Sequence, residues 1–339
     1  MVLIGIDPHK GSHTAVAIDG HETQLGELRL RSSKQQCDRL LDWASVFPDR
    51  RWAIESAGGL GYLLAQQLVA AGEDVVDVPP TLSSRVRVLG SGKAQKNDPN
   101  DALSTAIAAL RGRRLRQVAL DDHVAIIRML ANRQHGLVAH HTQALCRLHA
   151  QLANLSPGGV SGRLSPKRAE AMLATIRPAD GVVAERKQQC LELLADVVRL
   201  RGALSDIKDR IEMAVLASKT SVTDVYGVGA IIASIIIGHS GDVARFASRN
   251  HYASYNATAP IEASSGPTKR HRLNQRGNRQ LNHAMHMAAV TQISHDTPGR
   301  AYYQRKIAEG KSSKEAMRAL KRKISDAVFR QLVADAARP

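Results

Sequence analysis

The sequence predicts a mixed α/β region followed by two mainly helical regions. Between residues 2 and 78, short apolar or alternating segments typical of strands are separated by polar turns and by segments with helical periodicity. From about residue 121 onwards, apolar residues recur at three- and four-residue spacing, which is typical of amphipathic helices. We therefore expect a mixed sheet with helices packed on it, and helical structure beyond it. The 339 residues are enough for three domains, which we place at 1–119, 120–216 and 217–339.

The first domain is predicted to contain five strands and four helices. Three successive strands fall within residues 2–31, because VLIGID, HTAVAID and QLGELRL are apolar or alternating and are separated by short polar turns. The later elements alternate between helix and strand before two helices end the domain. In chain order they are residues 33–46, RWAIES, residues 60–71, EDVVDV, residues 81–89 and residues 98–111.

The second domain contains two long segments with apolar residues on one helical face, separated by a break rich in Pro and Gly at residues 156–166. Two long amphipathic helices joined by a turn favour an antiparallel coiled-coil hairpin.

The third domain, which we expect to be mainly α-helical, opens with a YGVG turn in front of an apolar helix. Gly227 and Gly229 would let the backbone turn tightly there. The pattern resembles a helix-hairpin-helix, whose backbone amides can receive a DNA phosphate. A glycine that ends a helix in a buried packing turn would give the same pattern, so both interpretations stay open.

The charge of the chain indicates a polyanionic partner. The formal net charge is +16, and residues 221–339 alone carry 18 basic and 8 acidic side chains. Such a balance is typical of proteins that bind nucleic acid or an anionic membrane, although a basic surface can also serve solubility. Only 3% of the residues are aromatic, which argues against recognition by base stacking and favours contacts to the nucleic-acid backbone.

Cysteine usage and hydropathy predict a cytoplasmic protein without a membrane segment. Cys37, Cys146 and Cys190 lie far apart, so neither a disulfide framework nor a cysteine-based zinc site is expected. The start of the sequence lacks the features of a signal peptide, and the longest apolar stretch, residues 230–238, is too short to span a bilayer.

Four acidic residues are candidates for a metal centre. Asp7 and Glu55 end predicted strands, and Asp98 and Asp101 lie three residues apart where a helix begins, so both can face one point. Four converging carboxylates repel one another unless cations neutralise them, and oxygen ligands suit Mg²⁺ or Mn²⁺. Two such ions can stabilise the attacking and leaving oxygens of phosphoryl transfer. Alternatively these are ordinary caps and surface acids, with Asp98 before a proline as the N-cap.

A polar loop in the third domain is a candidate nucleophile loop. Ser264, Ser265 and Gly266 precede a run of basic residues that could grip phosphate, and a serine hydroxyl attacks phosphorus once its proton is removed and the developing charge is held. Without that activation the loop would only bind phosphate. The basic candidates for nucleic-acid contact are Lys269, Arg270, Arg272, Arg276 and Arg279, together with Lys10 near the first acidic residue.

Taken together, these motifs resemble a known family. GIDPHKGSHTAVAID, AIESAGG and KNDPNDA look like the RuvC-like N-terminal domain of the DEDD insertion-sequence transposases related to the Piv DNA invertases. VYGVGAIIA, APIEASSG and RGNRQLNHAMHMAAV resemble their C-terminal transposase domain. The motifs occur in the family's order over nearly the whole chain.

The resemblance implies more than the residues alone indicate. It implies an RNase H-like (RuvC-like) fold, a divalent metal on Asp7, Glu55, Asp98 and Asp101, and a catalytic serine at Ser265, with Ser264 as the adjacent alternative. It also implies a bridge RNA that pairs with donor and target DNA, a phosphoserine intermediate, and a homodimer or homotetramer whose active sites combine different protomers.

We therefore expect an RNA-guided DNA transposase or recombinase that uses a metal-bound tetrad and a nucleophilic serine. Two alternatives remain. One is a metal-dependent, junction-resolving nuclease in which water attacks and the serine is incidental. The other is a non-enzymatic nucleic-acid-binding protein with a degenerate tetrad.

Overall fold

The computed structural model describes residues 1–91, 97–112, 115–160, 162–262, 271–272, 274 and 277–338. The chain divides into two compact units, Met1–Asp121 and Asp122–Pro339. The first unit is the mixed α/β region, and the second is mainly helical, as the sequence predicts. The predicted boundary between the second and third domains, after residue 216, stays a prediction.

The first unit is built around one mixed sheet. Its strands are β1 (Val2–Pro8), β2 (Ser12–Ile18), β3 (Gln24–Arg31), β4 (Arg50–Glu55), β5 (Val75–Val78) and β6 (Arg116–Gln117), in the spatial order β3-β2-β1-β4-β5-β6. The first three strands form an antiparallel meander, whereas β4 lies parallel to β1 and β5 parallel to β4. The short β6, which the sequence does not predict, pairs antiparallel with β5. This order confirms the predicted RNase H-like sheet.

Helices cover both faces of this sheet. They are α1 (Gln36–Ala44), α2 (Tyr62–Ala70), α3 (Pro80–Ser91) and α4 (Asp98–Arg111). Ile4 and Ile6 of β1 belong to one apolar core with Leu40 of α1 and Leu64 of α2. Leu3, which points to the other face, packs with Ala102 and Ala106 of α4. The central strand is therefore buried on both faces, which explains its continuous apolar run.

Gly5 in β1 lets α4 lie directly on the strand backbone. A β-carbon at this position would stand 2.2 Å from the carbonyl oxygen of Ala102 and 2.5 Å from the amide nitrogen of Ala106, both within α4. No side chain larger than hydrogen fits unless the helix moves away. Because α4 begins with Asp98, this contact also fixes where the acidic residues of its first turn lie.

The second unit begins with a pair of long helices. Its helices are α5 (His123–Ala153), α6 (Pro166–Thr175), α7 (Gly181–Ala217), α8 (Ala230–Ser240), α9 (Arg249–Tyr255), α10 (Arg279–Ser294), α11 (Pro298–Ala308) and α12 (Ser313–Ala336). Gln151 near the end of α5 faces the start of α7, and Arg147, one turn earlier, lines a groove that reaches Asp196 of α7. The two helices therefore run antiparallel, as predicted, and their apolar faces join the core of the unit.

Short elements complete the second unit. Two single 3₁₀ turns lie at Val222–Asp224 and Val243–Arg245, and two short strands, β7 (Ile261–Glu262) and β8 (His271–Arg272), pair antiparallel. In the part of the chain that the structure describes, no helix combines the length and apolar character needed to cross a bilayer.

Candidate active site

The sheet brings two of the predicted acidic residues to the same edge. Asp7 lies near the end of β1 and Glu55 is the last residue of β4, and the register of these parallel strands continues from Ile6 opposite Ile54. The register also places Thr14 opposite Asp7 and Arg29 opposite Thr14. Residues opposite one another share a face of the sheet, so this row presents the polar side chains to one side.

The first turn of α4 supplies the other two acidic residues. Asn97 is the N-cap of this helix, since its side chain accepts a hydrogen bond from the backbone N–H of Asn100, and a proline follows in the first turn. The interpretation of Asp98 as the N-cap was therefore wrong by one residue. Asp98 and Asp101 both lie inside the first turn, where the helix dipole favours negative charge.

Asp7, His9 and Asp98 lie close enough to share one cation. One ligand atom from each residue falls within 4.8 Å of the others. The Nδ1 atom of His9 is 3.5 Å from Oδ2 of Asp7, and its Nε2 atom is 3.9 Å from Oδ1 of Asp98. The Arg29 guanidinium lies 3.0 Å from the second oxygen of Asp98.

Glu55 and Asp101 do not belong to this group of three among the described residues, and each has partners within the protein. Glu55 accepts a 2.6 Å hydrogen bond from the hydroxyl of Ser83 and a longer one, 3.4 Å, from Thr105. Asp101, which is 6% exposed, forms an ion pair with Arg87 of α3. The Thr105 hydroxyl also donates to the backbone carbonyl of Asp101 at 2.8 Å, so one side chain links Glu55 to α4.

The electrostatics of Asp7 reflect the whole cluster. Burial raises the pKa of Asp7 to about 6; His9 lowers that pKa, while Asp101, Glu55 and Asp98 raise it further. The charges of all three other carboxylates of the predicted tetrad therefore act on Asp7, but only Asp98 and His9 have a ligand atom close enough to share an ion with it among the described residues. A cluster of this kind has a high cost in repulsion unless a cation binds.

Two buried polar atoms indicate that the cluster suits a cation. Asp7 is 9% exposed and Thr14, opposite it in the sheet, is 1% exposed. Oδ2 of Asp7 and the hydroxyl of Thr14 are buried without a hydrogen-bond partner among the described residues. Buried polar atoms normally have partners, so an additional group, such as a divalent ion with its water ligands, fits this donor set of hard oxygens.

Sequence reasoning missed four side chains around the cluster. Arg29 and Arg87 neutralise acidic residues, and Ser83 and Thr105 orient Glu55. The strand register would have found Arg29, because it lies two strands from Asp7 in the same row. The other three depend on how α3 and α4 pack, which has no local signature. Lys10, the predicted nucleic-acid contact nearby, is exposed just after β1.

The predicted serine loop lies largely outside the described residues. This applies to Ser264, Ser265, Gly266, Lys269, Arg270 and Arg276, and to the side chain of Arg272. The flanking residues are held to α9: Asn274 donates to the carbonyl of Ser254 at 2.8 Å, and the backbone N–H of Asn278 donates to the carbonyl of Tyr255 at 2.7 Å. Arg279 follows as the exposed first residue of α10.

The two glycines of the YGVG turn differ in their surroundings. Gly227 has a positive φ of 85°, and a β-carbon there would lie 2.8 Å from the carbonyl oxygen of Ala288 in α10. Gly229 is the exposed N-cap of α8, and a β-carbon there would meet no atom of the described residues within 4 Å. Gly227 thus has a packing role, whereas Gly229 lies at the exposed start of α8.

Two family models match the chain in the order that the motifs suggest. The DEDD transposase model of the IS110 type matches residues 4–157. The model described as transposase of the IS116/IS110/IS902 family matches residues 220–304. Together the two matches cover more than half of the chain, and they include both the acidic cluster and the serine loop.

Relatives and solved structures are similar to the chain. An uncharacterized 44.8 kDa protein of insertion element IS116 from Streptomyces clavuligerus is 26% identical over 98% of this chain and 94% of its own length. An uncharacterized 42 kDa protein of insertion element IS900 from Mycobacterium paratuberculosis is 24% identical, with coverages of 98% and 95%. A Thermus thermophilus RuvC in complex with a Holliday junction substrate covers 35% of this chain and 99% of its own, at 18% identity and a TM-score of 0.28. With two family matches in the right order and relatives aligned over nearly their whole length, the chain belongs to the IS116/IS110/IS902 family of DEDD transposases, enzymes that cut and rejoin DNA strands.

Proposed function

We propose that this transposase exchanges DNA strands through a serine-linked intermediate at a divalent metal centre. In this proposal Asp7, Glu55, Asp98 and Asp101 hold Mg²⁺ or Mn²⁺, and Ser265 is the nucleophile. The observation that carries the metal centre is that Asp7, His9 and Asp98 each place a ligand atom within 4.8 Å of the others, at a buried Asp7 oxygen that has no hydrogen-bond partner among the described residues. The serine rests on the family resemblance of its loop.

The chemistry would need no external energy source. The Ser265 Oγ atom forms a bond to phosphorus as the bond to a deoxyribose oxygen breaks; the serine proton passes to water, and the departing oxygen takes up a proton. A strand-end hydroxyl then attacks the phosphoserine in the reverse reaction and releases the serine. A bound divalent ion would stabilise the negative charge that develops on the phosphoryl oxygens.

Neighbouring side chains would orient and neutralise the proposed metal ligands. Ser83 and Thr105 would fix the orientation of the Glu55 carboxylate through their hydroxyl groups, which donate to it. Arg87 and Arg29 balance Asp101 and Asp98 while no ion is bound. Basic side chains near the nucleophile, Lys269, Arg270, Arg272, Arg276 and Arg279, would bind DNA phosphates, with Lys10 and the Gly229 turn as further contacts.

Sequence recognition in this proposal is delegated to a bridge RNA that pairs with donor and target DNA. The low aromatic content and the basic second unit support binding to nucleic-acid backbones rather than to bases. The active protein would be a homodimer or homotetramer acting on DNA in the cytoplasm.

The nucleophile is tested by replacing Ser265 with Ala, Ser264 with Ala, and both together. The proposal expects that Ser265→Ala abolishes DNA cleavage and the protein–DNA adduct that survives denaturation, while Ser264→Ala retains both. If the double variant still cuts DNA, and no protein–DNA adduct forms with any of the proteins, water is the nucleophile and the serine is incidental.

Mixing variants tests the metal centre, and it also tests whether the serine and the acidic residues of one active site come from different protomers. Asp7→Asn should abolish cleavage at any Mg²⁺ concentration while DNA binding persists. A mixture of Asp7→Asn and Ser265→Ala proteins should regain part of the activity if the serine of one protomer acts at the acidic residues of another. If mixed oligomers recover no activity, the serine and the acidic residues of each active site belong to the same protomer.

RNA guidance is tested with protein purified free of nucleic acid. We expect DNA cleavage only after RNA transcribed from the flanks of the gene is added, and a change of target when the pairing segment of that RNA is changed. Equal cleavage of DNA without RNA would contradict this part of the proposal.

A further inference from the structure

We propose that His9 is a metal ligand together with Asp7 and Asp98, and that this imidazole gives the centre a preference for Mn²⁺ over Mg²⁺. The inference deepens the proposed metal centre and rests on it. The four carboxylates of the tetrad alone would form an all-oxygen site, whereas His9 adds one nitrogen ligand.

The position of His9 carries the inference. Its ring lies between the two carboxylates, with Nδ1 3.5 Å from Asp7 and Nε2 3.9 Å from Asp98. These distances are too long for strong hydrogen bonds, but one ligand atom from each of the three residues falls within 4.8 Å of the others. The backbone N–H of His9 donates to the carbonyl of Ser12 at 2.8 Å, which fixes the residue at the start of the turn between β1 and β2.

Two unpartnered atoms, one on Asp7 and one on the residue opposite it in the sheet, are an independent observation. Oδ2 of Asp7, the oxygen nearest to the imidazole, is buried and has no hydrogen-bond partner among the described residues, although Asp7 is 9% exposed. The hydroxyl of Thr14, on the same face of the sheet, is also buried without one. If His9 were only a counter-ion to Asp7, a direct hydrogen bond would satisfy this oxygen, so the open geometry favours an ion held between the two side chains.

The chemistry of the donors determines which ion the centre should prefer. Mg²⁺ is a hard cation that takes oxygen ligands and gives up water reluctantly. Imidazole nitrogen suits transition-metal ions better than it suits Mg²⁺. An additional histidine ligand should therefore strengthen Mn²⁺ binding while leaving Mg²⁺ binding nearly unchanged.

The experiment measures metal binding by the full-length protein without nucleic acid, so it does not depend on activity. Calorimetry gives the affinities for Mn²⁺ and Mg²⁺, and pulsed electron paramagnetic resonance of bound Mn²⁺ detects a directly coordinated ¹⁴N nucleus. We expect nitrogen coupling in the wild-type protein, its loss in His9→Ala, and a Mn²⁺ affinity that falls about tenfold while the Mg²⁺ affinity changes less than about twofold. His21→Ala, which removes an exposed histidine from the next turn, is the matched control and should change neither.

The outcomes separate this inference from the proposal that it rests on. If Asp7→Asn abolishes Mn²⁺ binding but the wild-type spectrum contains no nitrogen coupling, the metal centre stands and the role of His9 is wrong. If Asp7→Asn leaves Mn²⁺ binding unchanged, both are wrong. The wild-type spectrum decides the ligation even if His9→Ala fails to fold, and His9→Gln provides a second variant with a polar side chain.

Discussion

The two units of this transposase use their basic residues in different ways. Met1–Asp121 carries 15 basic and 14 acidic side chains, whereas Asp122–Pro339 carries 32 and 17. In the first unit, the arginine–carboxylate pairs of the described residues join different elements, as in Arg50–Glu73 and Arg87–Asp101. In the second unit, each ion pair of the described residues joins side chains one to four positions apart.

This difference indicates what each unit loses when a basic residue is removed. An arginine of the first unit compensates a carboxylate that the fold has already brought into place, so its loss should cost stability. An exposed basic residue of the second unit adds little to folding and is available for phosphate, so its loss should cost nucleic-acid affinity. Substitutions in both units test this comparison, and the largest effect is expected at the contact between β1 and α4.

Gly5→Ala should have the largest effect. Its β-carbon would collide with the backbone of α4, so the helix must move away from β1, and we expect a loss of about 4 kcal/mol or more in the free energy of unfolding. Urea unfolding measures this loss, and Mg²⁺ binding should weaken as well because Asp98 and Asp101 move with the helix. Gly11→Ala is the control, since a β-carbon there meets none of the described residues within 4 Å. Equal stability of the two variants would show that α4 is not held by this contact.

Arg87→Gln should have the next largest effect. The variant leaves Asp101, 6% exposed, without its guanidinium partner, and we expect a loss of about 3 kcal/mol in the free energy of unfolding in EDTA. Mg²⁺ should restore much of the lost stability, because the ion would neutralise the charge of Asp101 in place of the guanidinium. Arg85→Gln, an exposed position on the same helix, should change stability by less than about 0.5 kcal/mol. A loss that Mg²⁺ does not reduce would argue against an ion near Asp101.

Gly5 and Arg87 also show how much of the structure can be predicted from the sequence and how much cannot. The first five strands of the first unit, the helix at residues 98–111 and the two long helices follow from periodicity and capping signals, and the structure has them where they are predicted. Gly5 and Arg87 act through contacts between elements distant in the chain, for which no local pattern exists. The same limit applies to α6, whose ten residues begin at the last residue of the predicted Pro/Gly break.

The pH dependence of Asp7→Asn should be smaller but more specific. Because the folded protein raises the pKa of Asp7 from 3.8 to about 6, deprotonation of this group destabilises the metal-free fold as pH rises through that window. In EDTA at pH 7.5 the variant should therefore be more stable than the wild type by about 2–3 kcal/mol. The gain should shrink by about half at pH 5 and vanish near pH 4. The charged groups facing Asp7 are His9, Glu55, Asp98 and Asp101.

Urea unfolding of both proteins between pH 4 and 8 checks this dependence, since other titrating groups largely cancel in the difference. With Mg²⁺ present the order should reverse, because only the wild type would bind the ion with full affinity. A difference that does not vary with pH would mean that the Asp7 carboxyl titrates normally, and that the cluster does not repel it.

The smallest effect on folding is expected in the second unit, for Arg279→Ala. Arg279 is exposed at the start of α10 and has no ion pair among the described residues, so the free energy of unfolding should change by less than about 0.5 kcal/mol. DNA affinity should instead fall, and the slope of log affinity against log salt should decrease by about 1, because one phosphate contact is lost. Arg199→Ala, whose guanidinium is 3.0 Å from Asp196 on the same helix, is the control and should leave the slope unchanged. If both variants reduce the slope equally, phosphate binding is a property of the overall charge of the second unit rather than of the residues next to the serine loop.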